Sequence, residues 1–183
     1  IEHIVDNLKE CQVERIMTVV GHGAEKIEEA MEGRCEFALQ SPQLGSGHAV
    51  MCASALSNEK GKTLVVNGDC PCVQIETYQK MFEALEDCGA VVLTVSLNDP
   101  KAYGRIVRDD SGKVLRIVEY KDANEEERMI HEINTGIYCF DNELLFESLK
   151  ELKNDNAQHE YYITDLIEIL NRKNIAVKAV CSS

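Results

Sequence analysis

The sequence is poor in basic residues and contains no long apolar run. Lysine and arginine number 19 against 32 aspartates and glutamates, which gives a formal net charge of -13. A surface of this charge repels nucleic acid and anionic lipid, so neither is expected as a partner. No apolar run approaches the ~20 residues that a membrane-spanning helix needs. The composition therefore favours a protein with no membrane partner and no nucleic-acid partner.

Proline is also scarce, and no signal peptide or initiator methionine opens the chain. The remaining composition, 44% hydrophobic and 28% charged, is that of a globular protein rather than a disordered one. The eight cysteines are scattered and lie mostly in apolar runs, which indicates free thiols in a reducing compartment and not a disulfide framework. We therefore expect a cytoplasmic protein, and residues 1–183 as a single partial domain.

Short apolar, β-branched runs alternate with helical periodicities along the chain. This alternation predicts parallel strands joined by right-handed crossovers, followed by a hairpin around Asp109–Gly112. The predicted strands are 14–21, 35–40, 62–67, 89–97, two within 104–120, 132–140 and 174–180. The predicted helices are 1–11, 24–32, 47–58, 74–88, a short one within 122–130, 142–152 and 160–172. The fold class is therefore α/β, with an open mixed, mostly parallel sheet flanked by helices and a β-hairpin insertion.

The first of three polar clusters is LQSPQLGSGHAV, residues 39–50, which joins a predicted strand to a helix. Glycines at a helix N-terminus let backbone N–H groups approach a ligand. Gln40 or Gln43 can offer paired donor and acceptor atoms to the edge of a base. An ordinary glycine-containing turn explains the spacing equally well, because short Gly-x-Gly patterns are common.

The second cluster is VVNGDCPC, residues 65–72. Asp69 follows a predicted buried strand directly, where a carboxylate can hold Mg²⁺ against phosphate. The alternative is that Asn67-Gly68-Asp69 is only a turn. Cys70 and Cys72 offer two sulfurs, but no second Cys/His pair lies at a zinc-like spacing, so zinc is not expected.

The third cluster comes from YGRIVRDDSGKVLRIVEYKDA and HEINTGIY. Gly104, Glu119, Lys121 and Asn134 lie at the ends of apolar strands, and short polar groups of this kind suit sugar hydroxyls. Glu119 and Lys121 are alternatively a solvated strand face. Asn134-Thr135-Gly136 is harder to explain by packing, because a strand interior favours apolar residues. The sequence has no Gly-x-Ser-x-Gly, His-Glu-x-x-His or Walker loop.

Taken in order, six segments resemble those of bacterial N-acetylglucosamine-1-phosphate uridyltransferases, the pyrophosphorylase half of a bifunctional enzyme. They are LQ-x-x-QLG-S-GHA, GD-x-P, YGRI-x-R, GKV-x-x-IVE-x-KDA, EINTGIY and NAQ-x-EYYITDLI. The resemblance covers essentially the whole chain, and the last two segments are specific to that family. One departure is His159, where the family usually has glycine. The resemblance implies a Rossmann-like nucleotide-diphospho-sugar transferase fold. It also implies formation of UDP-N-acetylglucosamine and pyrophosphate from UTP and N-acetylglucosamine 1-phosphate, for peptidoglycan precursor synthesis.

The resemblance implies roles for individual residues as well. The uridine-binding stretch matches Gln40, Gln43, Gly45 and Ser46. The segment beside ribose and sugar matches Asn67 and Gly68, and the catalytic Mg²⁺ ligand matches Asp69. The residues that hold the N-acetylglucosamine moiety match Gly104, Glu119 and Asn134.

Several parts of that family have no counterpart in this sequence. They are a first strand central to the sheet, its glycine-rich loop and nearby catalytic lysine, a second metal-binding asparagine, and the acetyltransferase domain through which the family trimerises. We therefore expect a gap in the sheet and little activity from this chain alone. Two other hypotheses stay open: a non-catalytic sugar-nucleotide-binding remnant, and a nucleotidyltransferase for a different sugar 1-phosphate. The oligomeric state is not predicted.

Overall fold

The computed structural model describes residues 1–182 of the chain. Strands and helices follow one another in the predicted order. The strands are β1 Met17–Val20, β2 Glu36–Leu39, β3 Lys62–Val65, β4 Ala90–Ser96, β5 Arg105–Arg108, β6 Val114–Val118, β7 Glu132–Asp141 and β8 Val177–Ser182. The helices are α1 Glu2–Glu10, α2 Ala24–Ala30, α3 Ser46–Cys52, α4 Ile75–Ala84, α5 Glu125–Arg128, α6 Asn142–Leu149 and α7 Asp165–Arg172. Short 3₁₀ helices, Ser54–Leu56 and Leu85–Asp87, follow α3 and α4.

The strands form two sheets. β1 and β2 pair in parallel across the crossover helix α2, as predicted. The larger sheet has the order β6-β5-β7-β4-β8. β5 pairs with the start of β7, and β3 pairs with the C-terminal end of β7. The mixed α/β class, the flanking helices and the β5–β6 hairpin are thus confirmed.

Most strands of the larger sheet share one direction, as expected for a mostly parallel sheet. Most neighbouring strands nevertheless pair antiparallel, so the expectation was wrong for the pairing. β7 runs antiparallel to β3, β4 and β5, and β8 runs parallel to β4. Consequently β3, β4, β5 and β8 share one direction while β6 and β7 oppose it. The reason is the hairpin: it reverses the chain, so β7 enters from the opposite end of the sheet and lies between strands that would otherwise be neighbours.

The strands β4 and β7 are buried on both faces. Their side chains alternate between two hydrophobic clusters, because successive residues of a strand point to opposite faces. One cluster packs against α6 and α7 and contains Ala90, Val92, Tyr138 and Phe140. The other packs against α1 and α4 and contains Val91, Leu93, Ile137 and Cys139. Coverage of both faces explains why these strands are near-continuous apolar runs.

The last predicted helix begins five residues later than expected. Residues 160–164 are not part of α7, because their backbone groups bond to the loop before α3. The N–H of Tyr161 donates to Leu44 O (2.8 Å) and the N–H of Ile163 donates to Ser46 Oγ (3.1 Å). Tertiary hydrogen bonds therefore replace the first helical turn that the apolar spacing predicts.

A cleft of about 940 Å³ separates the two sheets. Within residues 1–182, β1 pairs only with β2 and β3 pairs only with β7, so one edge of each strand faces the cleft. Both strands start at the same end, where Arg15 before β1 forms an ion pair with Glu59 before β3. Side chains of α1 and α3 also line the cleft.

None of the helices that the structure describes combines the length and the apolar character needed to cross a membrane. All eight cysteines lie in the described part of the chain, and each is a free thiol.

Candidate functional site

Six of the ten predicted site residues line the cleft. They come from five separate parts of the sequence and are Ser46, Asn67, Gly68, Gly104, Glu119 and Asn134. The other four, Gln40, Gln43, Gly45 and Asp69, do not line it. Gly45 and Asp69 are nevertheless the chain neighbours of Ser46 and Gly68. The structure therefore brings the three polar clusters of the sequence to one region.

The unusual Asn134-Thr135-Gly136 segment is a bulge in β7. The pairing of β4 with β7 shifts register between Val92 and Thr94, which face Tyr138 and Asn134. Gly136 has φ +79°, in the left-handed region that glycine adopts without strain. The Asn134 side chain spans the bulge: its Oδ1 accepts from Gly136 N–H (3.0 Å) and its Nδ2 donates to Tyr138 OH (2.7 Å). Bulges of this kind redirect side chains next to binding sites.

The bulge also creates the space for Asn67. A Cβ added at Gly136 would lie inside 3.0 Å of Asn67 Nδ2, so this amide packs directly on the glycine. Thr135 is held in place separately, because its hydroxyl donates to Leu93 O (2.8 Å). The amides of Asn67 and Asn134 thus meet on the two sides of one glycine, although 67 residues separate the positions in sequence.

Glu119 and Gly104 lie side by side at the end of the β5–β6 hairpin. The pair Arg105–Val118 is in register, which places the residue before one strand opposite the residue after the other. Gly104 O accepts from Asn134 N–H (2.9 Å), so the hairpin and the bulge are joined. Burial raises the pKa of the Glu119 carboxyl, a hydrogen bond from the Thr164 hydroxyl (3.3 Å) opposes this, and nearby Asp122 raises the pKa further.

The loop before α3 is clasped by residues 160–163. Gly47 N–H donates to Tyr161 O (2.7 Å), in addition to the two bonds from Tyr161 and Ile163 described above. Gly45 has φ +109°, and a Cβ there would lie 2.6 Å from Tyr161 O, so only glycine fits. The Ser46 hydroxyl is used as an acceptor in this clasp. Its first role in the structure is therefore to hold the loop.

The two glutamines of this loop occupy the ends of β1 and β2. Gln43 packs its amide against Gly21, which follows β1. Gln40 follows β2 and is buried, and its backbone N–H donates to Val20 O (2.7 Å). Both side chains therefore lie beyond the carboxyl ends of strands, which is the edge where open α/β sheets bind ligands.

Asp69 is exposed in the turn after β3. Its contact is with the neighbouring Cys70 thiol, at 3.5 Å, so the carboxylate oxygens are accessible. Burial and the charge of Asp69 raise the pKa of Cys70, which disfavours the thiolate that a soft metal needs. Among residues 1–182 there is no group of three His, Cys, Asp or Glu side chains placed to hold a metal ion. Asp69 can therefore offer one oxygen ligand to a hard cation.

The polar end of the cleft is the end lined by Asn67, Gly104, Glu119 and Asn134, and among the residues described it contains no cationic side chain. The basic residues that line the cleft are Arg15, Lys60 and Lys62, and they lie at the opposite end, where β1 and β3 begin. Arg15 pairs with Glu36 and Glu59, and Lys62 pairs with Glu86. A polyphosphate bound near Asp69 would thus need positive charge from elsewhere.

Thr164 and His48 of this region were missed by the sequence argument, and Thr135 was noted only as part of the polar interruption of β7. Thr164 and Thr135 use their hydroxyls as described above, and His48 contacts Gln40 through Nδ1 (3.1 Å). Each lies inside a segment that carried the resemblance. The resemblance thus covered these residues without giving them a role. Their hydrogen-bond partners are distant in sequence or on another turn, so composition and periodicity could not reveal the contacts.

Comparison with known proteins gives a consistent result. The family model described as Nucleotidyl transferase matches residues 1–182. The chain is 50% identical over 182 residues to the bifunctional protein GlmU of Bacillus mycoides and 48% identical to that of Oceanobacillus iheyensis. In both cases 98% of this chain is covered but 40% of the relative, so the chain spans less than half the length of these curated relatives.

Solved structures share the fold. A protein assigned as a glucose-1-phosphate thymidylyltransferase from Bacillus anthracis, solved with a sucrose, superposes with a TM-score of 0.77 at 25% identity, covering 100% of this chain and 74% of that chain. A UDP-glucose pyrophosphorylase complexed with UDP-glucose superposes with a TM-score of 0.72 at 19% identity, covering 97% and 76%. The shared fold and the family match over residues 1–182 agree: the chain belongs to the nucleotidyl transferase family.

Proposed function

We propose that this chain is one partial domain of an enzyme that joins UTP and N-acetylglucosamine 1-phosphate to give UDP-N-acetylglucosamine and pyrophosphate. The observation that carries the proposal is the convergence of Asn67, Gly104, Glu119 and Asn134 on one end of the cleft. The relatives at 48–50% identity, the bifunctional proteins GlmU, support this choice of nucleotide sugar. The proposal includes a cytoplasmic location, which eight free thiols support.

The sugar end of the cleft has the chemistry that a hexosamine requires. Glu119 is half-buried and its carboxylate accepts hydrogen bonds, so it can fix sugar hydroxyls. Asn67 offers amide donors and an acceptor from the opposite side. Asn134 already spends one donor and one acceptor on the bulge, so its main contribution is to hold Gly136 and the strand beside the sugar.

The reaction needs positioning and charge neutralisation rather than a protein nucleophile. An oxygen of the sugar phosphate attacks the α-phosphorus of UTP, a new P–O bond forms, and the bond to the leaving pyrophosphate breaks. This chain would hold the uridine at the ends of β1 and β2 and the sugar at the β5–β6 hairpin, which aligns the two phosphates between them.

Mg²⁺ is part of the proposal. The accessible carboxylate of Asp69 fits this ion, because Mg²⁺ in such sites takes one or two carboxylates together with substrate phosphates and waters. When bound, Mg²⁺ supplies neutralisation of the charge on the phosphate oxygens. Further positive charge and backbone N–H donors would come from parts of the full-length protein outside residues 1–183, since the polar end of the cleft has no lysine or arginine among the residues described.

The test measures pyrophosphate release from UTP, N-acetylglucosamine 1-phosphate and Mg²⁺. We expect activity in the full-length protein and little or none in residues 1–183. Glucose 1-phosphate in place of the N-acetylglucosamine compound distinguishes a nucleotidyltransferase for another sugar. A full-length protein that binds UDP-N-acetylglucosamine but releases no pyrophosphate with any sugar 1-phosphate would instead be a binding protein, and the proposal would be wrong.

A further inference from the structure

The orientation of the Gln40 side-chain amide is set by a backbone carbonyl. Gln40 Nε2 lies 2.9 Å from Gly45 O. A carbonyl oxygen only accepts hydrogen bonds, so the NH₂ group must face it. The flipped amide would place two acceptors against each other. The position of Nε2 is therefore determined chemically, and so is that of Oε1 on the other side of the amide.

The second hydrogen of the same NH₂ group faces His48. Gln40 Nε2 lies 3.1 Å from His48 Nδ1. Because the amide nitrogen can only donate, Nδ1 must accept, and the ring proton of the neutral imidazole must sit on Nε2. Both hydrogens of the Gln40 amide are thus committed to Gly45 and His48.

The two anchors are themselves rigidly connected. Gly45 O also accepts from Ala49 N–H (3.1 Å) in the first turn of α3. His48 lies in the same turn, three residues after Gly45. Both hydrogens of the Gln40 amide therefore bond to acceptors that belong to one helical turn.

The remaining atom, Gln40 Oε1, is free to accept. Within residues 1–182 it has no hydrogen-bond partner, yet it is not one of the four buried side-chain atoms without a partner, which belong to Arg105, Ser148, Tyr162 and Asn171. The residue is only 9% exposed. What Gln40 presents outward, at the carboxyl end of β2, is therefore an acceptor and not a donor.

We propose that His48 is a positioning residue that locks Gln40 so that Oε1 accepts the ring N–H of a bound nucleobase. This inference rests on the proposed uridine site. Uracil carries a hydrogen on N3, whereas N3 of cytosine is itself an acceptor and would be repelled by Oε1. His48 thus sets base selectivity without touching the base.

The contact between His48 and Gln40 is tested first on the free 183-residue chain, with no nucleotide present. In ¹⁵N-labelled protein we expect the neutral His48 ring to carry its proton on Nε2, with Nδ1 bare. We also expect the Gln40 side-chain amide resonances to shift in His48→Leu. A proton on Nδ1, or amide resonances unchanged by His48→Leu, would overturn the proposal.

Base selectivity is tested with three variants in the full-length protein, by comparing affinities for UDP and CDP. His48→Leu removes the acceptor and should lower the UDP:CDP preference by about tenfold, the effect of one hydrogen bond. His48→Asn places an amide oxygen at the position of Nδ1 and should restore the preference to within about threefold of wild type. His48→Gln, which is equally polar but extends past that position, should behave like His48→Leu.

The outcomes separate this inference from the proposed function. Wild-type protein that binds neither nucleotide would refute the uridine site and the base-selection role, whatever the ring tautomer. Protein that prefers UDP equally in wild type, His48→Leu and His48→Asn would leave the proposed function standing and refute the role of His48. A preference that is lost in His48→Leu and recovered in His48→Asn supports both.

Discussion

Substitution of Gly136 by alanine tests whether the bulge in β7 shapes the site through Asn67. At φ +79° an alanine pays for a left-handed backbone, about 1 kcal/mol. The new Cβ would also lie inside 3.0 Å of Asn67 Nδ2, so this side chain must rotate away; because Asn67 is exposed, the displacement should cost only about 1 kcal/mol. We therefore expect Gly136→Ala to lose about 2 kcal/mol of unfolding free energy and to weaken UDP-N-acetylglucosamine binding.

Gly112 supplies the matched control. Its φ of +84° is nearly the same, but an added Cβ there has nothing within 4 Å. Gly112→Ala should therefore show the backbone strain alone, about 1 kcal/mol, which for a chain of this length lowers the melting temperature by about 2–4 °C. Gly136→Ala should lower the melting temperature by roughly twice as much.

Chemical denaturation and calorimetry of the two variants measure the difference, and a third variant locates it. Adding Asn67→Ala to Gly136→Ala removes the side chain that the new Cβ meets, so the excess cost over Gly112→Ala should largely disappear. Equal losses in Gly136→Ala and Gly112→Ala would refute the reasoning, because the contact with Asn67 would then carry no energy.

The remaining predictions concern a proposed metal ligand, a carboxyl and a hydroxyl. In the full-length protein Asp69→Asn should reduce Mg²⁺-dependent turnover by about 10²–10³-fold, while Asp110→Asn on the exposed hairpin turn leaves it unchanged; equal turnover in both would make Asp69 only a turn residue. Burial and neighbouring carboxylates raise the pKa of Asp165 to about 6, so its ionisation opposes folding as the pH rises from about 4 to 6. Urea titrations at several pH values measure the free energy of unfolding. Relative to wild type, that of Asp165→Asn should rise by about 1–2 kcal/mol between about pH 4 and pH 6, after allowance for solvent screening. No gain at about pH 6 would contradict the burial argument. Ser46→Ala should cost about 1–2 kcal/mol in the same assay because the buried Ile163 N–H loses its acceptor, and Ser46→Thr should retain most of that energy.

The types and order of the elements could be predicted from the sequence because each apolar period reports its own local structure. β4 and β7 appear as continuous apolar runs since helices cover both of their faces. The neighbours of β7 could not be predicted in this way. An apolar strand pairs equally well on either side, and its partners were decided by the hairpin that precedes it.

A local sequence pattern also indicated part of the candidate site. Asn134-Thr135-Gly136 was conspicuous because polar residues interrupted a strand, and the structure shows a bulge there. Thr164 and His48 gave no such signal, since threonine and histidine are ordinary in and near helices. Their roles depend on partners that only the folded chain brings near.

The clasp on the loop before α3 has a consequence for the order in which the molecule folds. The bond from Ile163 N–H to Ser46 Oγ joins residues 117 positions apart. Closing a loop of that span costs chain entropy that is recovered only once the intervening strands have assembled. We therefore expect the proposed uridine end of the site to be completed late in folding. A nucleotide that binds there selects the finished fold over partly folded chains and so protects it from unfolding.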